Sequence, residues 1–278
     1  MTDTKKIHAG NPAITAFLLL VTAILIFPLL IIAIVSISDN LELAKNLFSF
    51  VHKLRLDNYV DAFERGRIAH YFMNTVIVVV ITVVVTIMSA SLCAFGIRRF
   101  KFREVQAVYY IVISGLFVPI QAVILPVFRL LKTIGLINTL PGLALVYIGV
   151  NIPLTLILFT GFYKSIPLEL EEAATIDGCS AIGAYWKIIF PLSKTIISTL
   201  IILVGLNIWK DFFIPLVVIT TPLNKTLAIG LLAFVNEFSL DWTHLCAAMV
   251  MQTIPIVILF LGLQKYFVSG VVSGAVKG

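Results

Sequence analysis

The sequence predicts an all-α membrane protein that crosses the bilayer six times. Of its 278 residues, 60% are hydrophobic and only 12% are charged, whereas about a quarter of the residues of a soluble domain are charged. The mean hydropathy is +1.08. The apolar residues form long blocks between short polar connections. Helices satisfy their own backbone groups in lipid, so each long block predicts a membrane-spanning helix.

Six blocks are long enough to cross, because a spanning helix needs about 20 residues. Five of them contain no charged residue: 10–38, 71–97, 105–128, 133–163 and 245–264. The first block is too long, and lacks the following small-residue site, for a cleavable signal peptide.

Two further segments depart from this simple pattern. The block 195–220 has the length of a span but contains Lys210 and Asp211, so it is predicted as a span with a polar defect. The uncharged run 226–236 is too short to cross as a helix. It predicts a partly buried segment that enters and leaves the membrane on one face.

The distribution of basic residues predicts the orientation of these spans. With six spans both termini lie on one side, and that side carries eleven Lys and Arg residues against eight on the other. Five of those eight lie in the single connection 39–70. Because cytoplasmic connections are enriched in basic residues, both termini are predicted to be cytoplasmic and 39–70 extracytoplasmic. Basic residues spread over short connections do not predict nucleic-acid binding.

An acidic, alanine-rich stretch connects the fourth and fifth spans and therefore lies in the predicted cytoplasm. It reads "LELEEAATIDGCSAIGAYWKIIFPL" over residues 168–192. Its glutamates favour a helix N-terminus, and Gly178 suits the residue just after a helix. A second helix is predicted from about Ser180 to Pro191. By composition alone this pair of helices is either a solvated loop or a docking site for another protein.

The order of residues in this stretch resembles a known signature. Glu172-Ala173-Ala174, then Asp177-Gly178, then an apolar run that ends in Phe190-Pro191-Leu192 resembles the EAA motif of ABC-importer permeases. Four segments are similar to the carbohydrate branch of that family, and especially to the shorter permease of maltose importers. They are "RRFKFR" at 98–103, and the segments 118–147, 166–178 and 267–278.

The resemblance implies a MetI-like permease fold with a defined division of the chain. Residues 1–38 would hold the cytoplasmic N-terminus and first span, and 71–268 a permease core of five spans. Within the core, residues 164–194 would form a cytoplasmic coupling loop. Residues 269–278 would form a cytoplasmic tail that reaches toward the ATPase.

The resemblance also implies roles for particular residues of the loop. Glu172, Ala173, Ala174, Asp177 and Gly178 would dock onto a cytoplasmic ATPase subunit. Glu172 would pair with a basic group of that subunit, and Gly178 would allow the sharp turn between the two helices.

The resemblance also implies partners and a cellular location for this chain. A second, homologous permease, two ATP-binding-cassette ATPase subunits, an extracytoplasmic solute-binding protein and membrane lipid would surround this chain in a bacterial plasma membrane. The cargo would be a sugar, such as an oligosaccharide, or a similar polyol. ATP and Mg²⁺ would be bound by the ATPase subunits, with no cofactor in this chain.

The sequence contains no motif for chemistry of its own. The phosphate loop G-x4-G-K-[ST] and the hydrolase motifs H-E-x-x-H and G-x-S-x-G are all missing. The four histidines and three cysteines are not at metal-ligand spacing. We therefore expect no catalytic residue and no metal site, and a transport subunit rather than an enzyme.

Polar residues within the spans are candidates for the substrate pathway, because charged groups in lipid are costly. Asn207, Lys210 and Asp211 are the candidates in the fifth span. Lys210 either lines the pathway or pairs with an acid near the outer rim. Asn74 and Asn151 are predicted to form hydrogen bonds between helices.

Three alternatives remain open. The chain could belong to an ABC importer of a solute other than a sugar. An ion-coupled secondary transporter would need carboxylates inside the bundle, where only Asp211 qualifies, and usually an inverted repeat. A membrane scaffold without transport activity would not require the EAA-like loop.

Overall fold

A computed structural model describes residues 12–40, 54–100, 102–235 and 241–275, with side chains in the last range described as far as Gly262. The predicted cytoplasmic N-terminus, much of the connection 39–70 and the last residues of the predicted tail lie outside these ranges. Within them, every regular element is a helix or a helical turn, which confirms the all-α class.

The helices are numbered here in chain order. They are α1 (Pro12–Ser36), α2 (Asp57–Arg65), α3 (Ile68–Arg99), α4 (Arg103–Ser114), α5 (Ile120–Thr133), α6 (Leu140–Lys164), α7 (Glu169–Ile176), α8 (Ala181–Leu192), α9 (Lys194–Lys210), α10 (Phe213–Val218), α11 (Leu227–Gly230) and α12 (Trp242–Ala275).

In the described residues, four helices are long and apolar enough to cross a membrane: α1, α3, α6 and α12. Two bent pairs bring the number to six if each pair forms one span: α4 with α5, and α8 with α9. The count of six agrees with the six spans expected from the sequence, although α8 falls within the predicted coupling loop 164–194 and not within the predicted span 195–220.

The third predicted span, 105–128, is broken rather than straight. Its two halves α4 and α5 meet at 109°, and a 3₁₀ turn, Gly115–Phe117, closes the first half. Val118 and Pro119 are both extended, with ψ of 108° and 130°. Proline disfavours the helical conformation at the residue before it, so Pro119 explains why α4 does not continue.

The fifth predicted span, 195–220, is wrong as a continuous helix. The chain leaves the helical conformation at Asp211, where ψ is 128°, and α10 begins two residues later. The Asp211 carboxylate accepts hydrogen bonds from the backbone N–H groups of Phe213 and Ile214, at 3.2 Å each. Side-chain oxygens of Asp compete with the helix for backbone donors in this way. Lys210 and Asp211 therefore lie at a helix end.

Contacts divide the chain into two compact units, residues 1–66 with 231–253, and residues 67–230 with 254–278. The larger unit has a core built mainly from α3 and α6, where side chains such as Val78, Leu143, Leu156 and Phe159 are fully buried. The segment 226–236 contributes the short helix α11, whose residues are buried.

The smaller unit is fixed by polar contacts around the end of α1. The Asn58 amide donates to the carbonyl oxygens of Ser36 and Ser38, at 2.9 Å each, which satisfies acceptors that a helix end leaves free. His244 Nδ1 lies 2.6 Å from Asp241 Oδ2. Burial raises the pKa of Asp241, but hydrogen bonds from His244 and Asn40 outweigh it, so this pKa lies below its usual value.

Candidate functional site

The segment predicted as the coupling loop, residues 164–194, contains two short helices, α7 and α8, joined by a tight turn. α7 ends in a left-handed glycine: Gly178 has a φ of +78°. The Gly178 amide donates to Thr175 O at 3.1 Å and the Cys179 amide to Ala174 O at 2.8 Å, which is the hydrogen-bond pattern of a Schellman helix end. Glycine adopts this conformation without the steric cost that other residues incur. The turn expected at Gly178 is confirmed.

The second helix of the loop begins and ends where the sequence predicts. The Ser180 hydroxyl caps α8 by accepting from the Gly183 amide at 3.1 Å. The helix includes a π-helical turn, Tyr185–Ile189, directly before Phe190 and Pro191. Proline has no N–H to donate to the preceding turn, and wide turns of this kind are one way to accommodate that loss.

The predicted docking residues divide into two groups in the structure. Glu172, Ala173, Asp177 and Gly178 are exposed. Ala174 is only 6% exposed, so its small side chain serves the packing of α7 within this chain. Apolar side chains that also face outward accompany the exposed acids, most clearly Ile176, which is 86% exposed. The outer surface of the loop thus combines carboxylates with apolar side chains.

The charged contact that holds the loop in place is absent from the sequence predictions. Glu171, the neighbour of Glu172, is buried: Arg98 Nε lies 3.3 Å from its Oε1, and the two side chains are 8% and 7% exposed. Arg99, at the end of α3, lies 3.8 Å from the other carboxylate oxygen. Two basic residues thus neutralise one buried acid.

Arg98 also binds the end of α6. Its guanidinium donates to Tyr163 O at 2.5 Å and to Ile166 O at 2.9 Å. Tyr163 O lies in the last turn of α6 and also accepts from the Ile166 amide at 3.2 Å, and Ile166 follows just after the helix. A cation is favourable at this negative end of the helix dipole. One side chain therefore connects the end of α3 to α6 and to the coupling loop.

A cluster of three hydroxyls lies buried beside this contact. The Ser91 hydroxyl on α3 is 2.6 Å from the Tyr163 hydroxyl on α6 and 2.8 Å from the Tyr185 hydroxyl on α8. All three residues are fully buried. Polar groups in such surroundings are costly unless hydrogen-bonded, and these three satisfy one another.

The sequence only partly indicates these contacts. The run "RRFKFR" is already explained by the enrichment of basic residues in cytoplasmic connections. Nothing in "LELEEAATIDG" distinguishes Glu171 from the three acids around it. A helix has 3.6 residues per turn, so adjacent acids point in different directions. Which of them faces inward depends on how α7 packs.

The substrate-pathway candidates of the fifth span lie near one another. Asp211 is bound by the Tyr147 hydroxyl at 2.8 Å as well as by backbone amides. The Asn207 amide donates to Asn151 Oδ1 at 3.3 Å, so Asn151 forms the expected hydrogen bond between helices. Lys210 is exposed, and among the described residues no carboxylate lies within ion-pair distance of it. Its predicted pairing with an acid is therefore not found in this part of the chain.

Asn74 also forms the kind of contact predicted for it. Its amide donates to Leu223 O at 2.8 Å and to Lys225 O at 3.0 Å, which fixes the segment before α11 to α3. Within the described residues, no group of three or more His, Cys, Asp or Glu side chains is arranged to hold a metal ion.

Known proteins share both the sequence and the fold. A Bacillus subtilis (strain 168) protein named as a probable ABC transporter permease, YurM, is 34% identical over 274 residues, 99% of this chain and 91% of its own length. The diacetylchitobiose uptake permease NgcG of Streptomyces coelicolor is 30% identical, covering 94% of this chain and 87% of its own. The arabinooligosaccharide transport permease AraQ of Halalkalibacterium halodurans is 32% identical, covering 92% of each chain.

A solved structure has the same fold. It is the crystal structure of a bacterial ABC transporter involved in the import of the acidic polysaccharide alginate, with a TM-score of 0.79, 23% identity, and coverage of 92% of this chain and 96% of that one. Residues 83–273 match the family described as "Binding-protein-dependent transport system inner membrane component". That range includes the coupling loop, both halves of the bent spans and the contact between Arg98 and Glu171. The chain therefore belongs to the family of inner membrane components of binding-protein-dependent transport systems.

Proposed function

We propose that this chain is the permease subunit of an ABC importer and that, with a second permease, it forms the transmembrane pathway for an oligosaccharide or similar polyol delivered by a solute-binding protein. The observation that carries this proposal is the coupling loop. It is a pair of short helices with exposed acids and apolar side chains, and buried polar contacts hold it against α3 and α6.

The substrate class rests on the relatives. Their names refer to diacetylchitobiose, arabinooligosaccharides and starch degradation products, and the alginate transporter also imports a polysaccharide. Relatives of this kind at 30% identity or more over nearly the whole chain support a carbohydrate cargo. A second solved structure, of the alginate transporter with a pentasaccharide-bound periplasmic protein, supports delivery by a binding protein.

The chemistry of the loop surface supports an ATPase as the protein that docks onto it. Glu172, in the first turn of α7, and Asp177, the residue directly after this helix, are exposed carboxylates, and the apolar side chain of Ile176 is exposed as well. A protein surface with a basic rim and an apolar cleft would complement both. The ATP and Mg²⁺ that power transport would lie in that partner, since this sequence lacks a phosphate loop.

The geometry of Asp211 argues against an ion-coupled secondary transporter. A coupling carboxylate must exchange its ion or proton during transport. Asp211 instead accepts from the Tyr147 hydroxyl and from two backbone amides. These contacts assign it to the structure of the helix break.

A double variant of the coupling loop tests the proposal. In the assembled transporter, Glu172→Ala removes an exposed carboxylate from α7, and Gly178→Asp places a side chain and a new carboxylate at a turn that has a positive φ. We expect the chain to insert in the membrane as before and ATP hydrolysis stimulated by the substrate-loaded binding protein to be lost. The matched control is Glu104→Ala, an exposed acid on α4 outside the loop, which should hydrolyse ATP normally. Undiminished stimulation in the double variant would contradict the docking role.

A further inference from the structure

The coupling loop is joined by the chain to only two spans. Within it, residues 165–168 connect α6 to α7, and Ser193 connects α8 to α9. The span α3 lies earlier in the sequence, and three other helices separate it from the loop along the chain. Any movement that α3 shares with the loop must therefore pass through noncovalent contacts.

Both helices of the loop have such a contact with α3. The first helix, α7, is held by Glu171, whose carboxylate lies between Arg98 and Arg99. The second, α8, is held by Tyr185, whose hydroxyl lies 2.8 Å from the Ser91 hydroxyl. The two contacts lie about two helical turns apart on α3, since Ser91 precedes Arg98 by seven residues and a turn contains about 3.6.

The charge contact is suited to transmit force because it is buried. With side chains 8% and 7% exposed, Arg98 and Glu171 cannot separate without leaving a charge in a poorly solvated place, which is strongly unfavourable. Arg98 Nε lies 3.3 Å from Glu171 Oε1, so a buried ion pair joins α3 to α7.

We propose that Arg98 and Glu171 are positioning residues that transmit movement of the coupling loop to α3, so that the ATPase moves this span as well as α6 and α9. This inference rests on the proposed function, since it assumes that the loop is where the ATPase acts. Because α3 packs along α6 in the core, movement of α3 would shift the whole packed pair. Docking by Glu172 and transmission by Glu171 are then separate tasks of neighbouring residues.

The test compares neutral variants of two acids of α7 in the assembled transporter. Glu171→Gln removes the buried charge and keeps the shape of the side chain. We expect the ATPase subunits to co-purify and basal ATP hydrolysis to persist, while stimulation by substrate-loaded binding protein falls about ten-fold, within the usual range of coupling between sites. Glu171→Asp, which keeps the charge, should restore part of the stimulation. Glu169→Gln, an exposed acid in the same helix, should leave it at the wild-type value.

A second measurement separates failure of this inference from failure of the proposed function. Hydrogen–deuterium exchange of the α7 amides in the purified wild-type and Glu171→Gln proteins reports whether the ion pair holds the loop; we expect faster exchange in the variant. Full stimulation or unchanged exchange in Glu171→Gln would overturn the transmission role and leave the importer function intact. If no ATPase co-purifies even with the wild-type chain, the proposed function itself fails, and the transmission role is overturned with it.

Discussion

Glycine is needed at position 178 of the coupling loop because of the backbone conformation alone. Its φ is +78°, yet a β-carbon built on it would meet no atom within 4 Å. The reason for glycine here is therefore the left-handed backbone and not a lack of space. Gly161, inside α6, also has open space around it but has no positive φ.

This contrast gives a prediction at the residue scale. Gly178→Ala should destabilise the protein by about 1 kcal/mol, because alanine is strained in the left-handed region. Gly161→Ala should have the opposite sign and stabilise by up to about 1 kcal/mol, because alanine is the better helix former. Thermal unfolding of the detergent-purified variants measures both. Equal shifts for the two variants would mean that the turn does not need a left-handed residue.

Other single residues acquire their roles only through position. Glu171 and Glu172 have the same side chain, but Glu171 is buried between two arginines and Glu172 is exposed. Tyr147 holds Asp211 from another helix. Such roles arise from contacts between residues far apart in sequence, which one sequence does not specify.

At the scale of elements, helix ends are set by local chemistry that the sequence shows well. The α7 helix ends at Gly178, α8 begins after Ser180, and α4 stops before Pro119. The same local chemistry begins α6, where the Thr139 hydroxyl accepts from the Gly142 amide at 3.0 Å. Each of these ends follows from the backbone preferences of one or two residues.

The cap of α6 provides the prediction at this scale. Thr139→Ala removes the acceptor for an N-terminal amide and should destabilise the protein by about 1 kcal/mol. Thr133, near the end of α5, is the matched control, since its hydroxyl bonds to Arg129 O within its own helix. Thr133→Ala should be neutral or slightly stabilising. A melting temperature unaffected by Thr139→Ala would show that α6 begins without this cap.

Sequence analysis predicted one span over 195–220 and did not predict that its helix breaks at Asp211. Hydropathy averages over a window and does not register a helix that stops and restarts within it. The block 195–220 is apolar enough to suggest one helix, while its course is decided by the Asp211 carboxylate and its partners on α6 and α10. The polar pair that reads as a defect in a span lies where α9 ends, two residues before α10 begins.

At the scale of the whole molecule, exposed apolar surface indicates what surrounds the chain. Only 6% of the most apolar window of α1 is buried within the protein, against 56% for α6. Exposed apolar surface of this extent is unfavourable in water. In a bilayer such a surface can face lipid, as expected for an inner membrane component.

The orientation of the molecule gives a prediction at this scale. In a variant without the three native cysteines, single cysteines at Ile176, on the coupling loop, and Leu223, between α10 and α11, probe opposite sides of the membrane; both side chains are exposed. A membrane-impermeant thiol reagent applied to intact cells should modify Leu223→Cys and not Ile176→Cys. After the cells are opened, both should react. Labelling of Ile176→Cys in intact cells would reverse the predicted topology.

The sequence by itself determined the class of the protein, the number of apolar blocks, the two-helix form of the coupling loop and the turn at Gly178. These features depend on hydropathy over a window and on local backbone preference, which neighbouring residues settle among themselves. Only the tertiary structure decided which acid of α7 faces inward, that Arg98 joins three helices, and that the fifth span stops at Lys210. Those outcomes depend on side chains brought together from distant parts of the chain, where burial makes each unpaired polar group costly and therefore selects its partner.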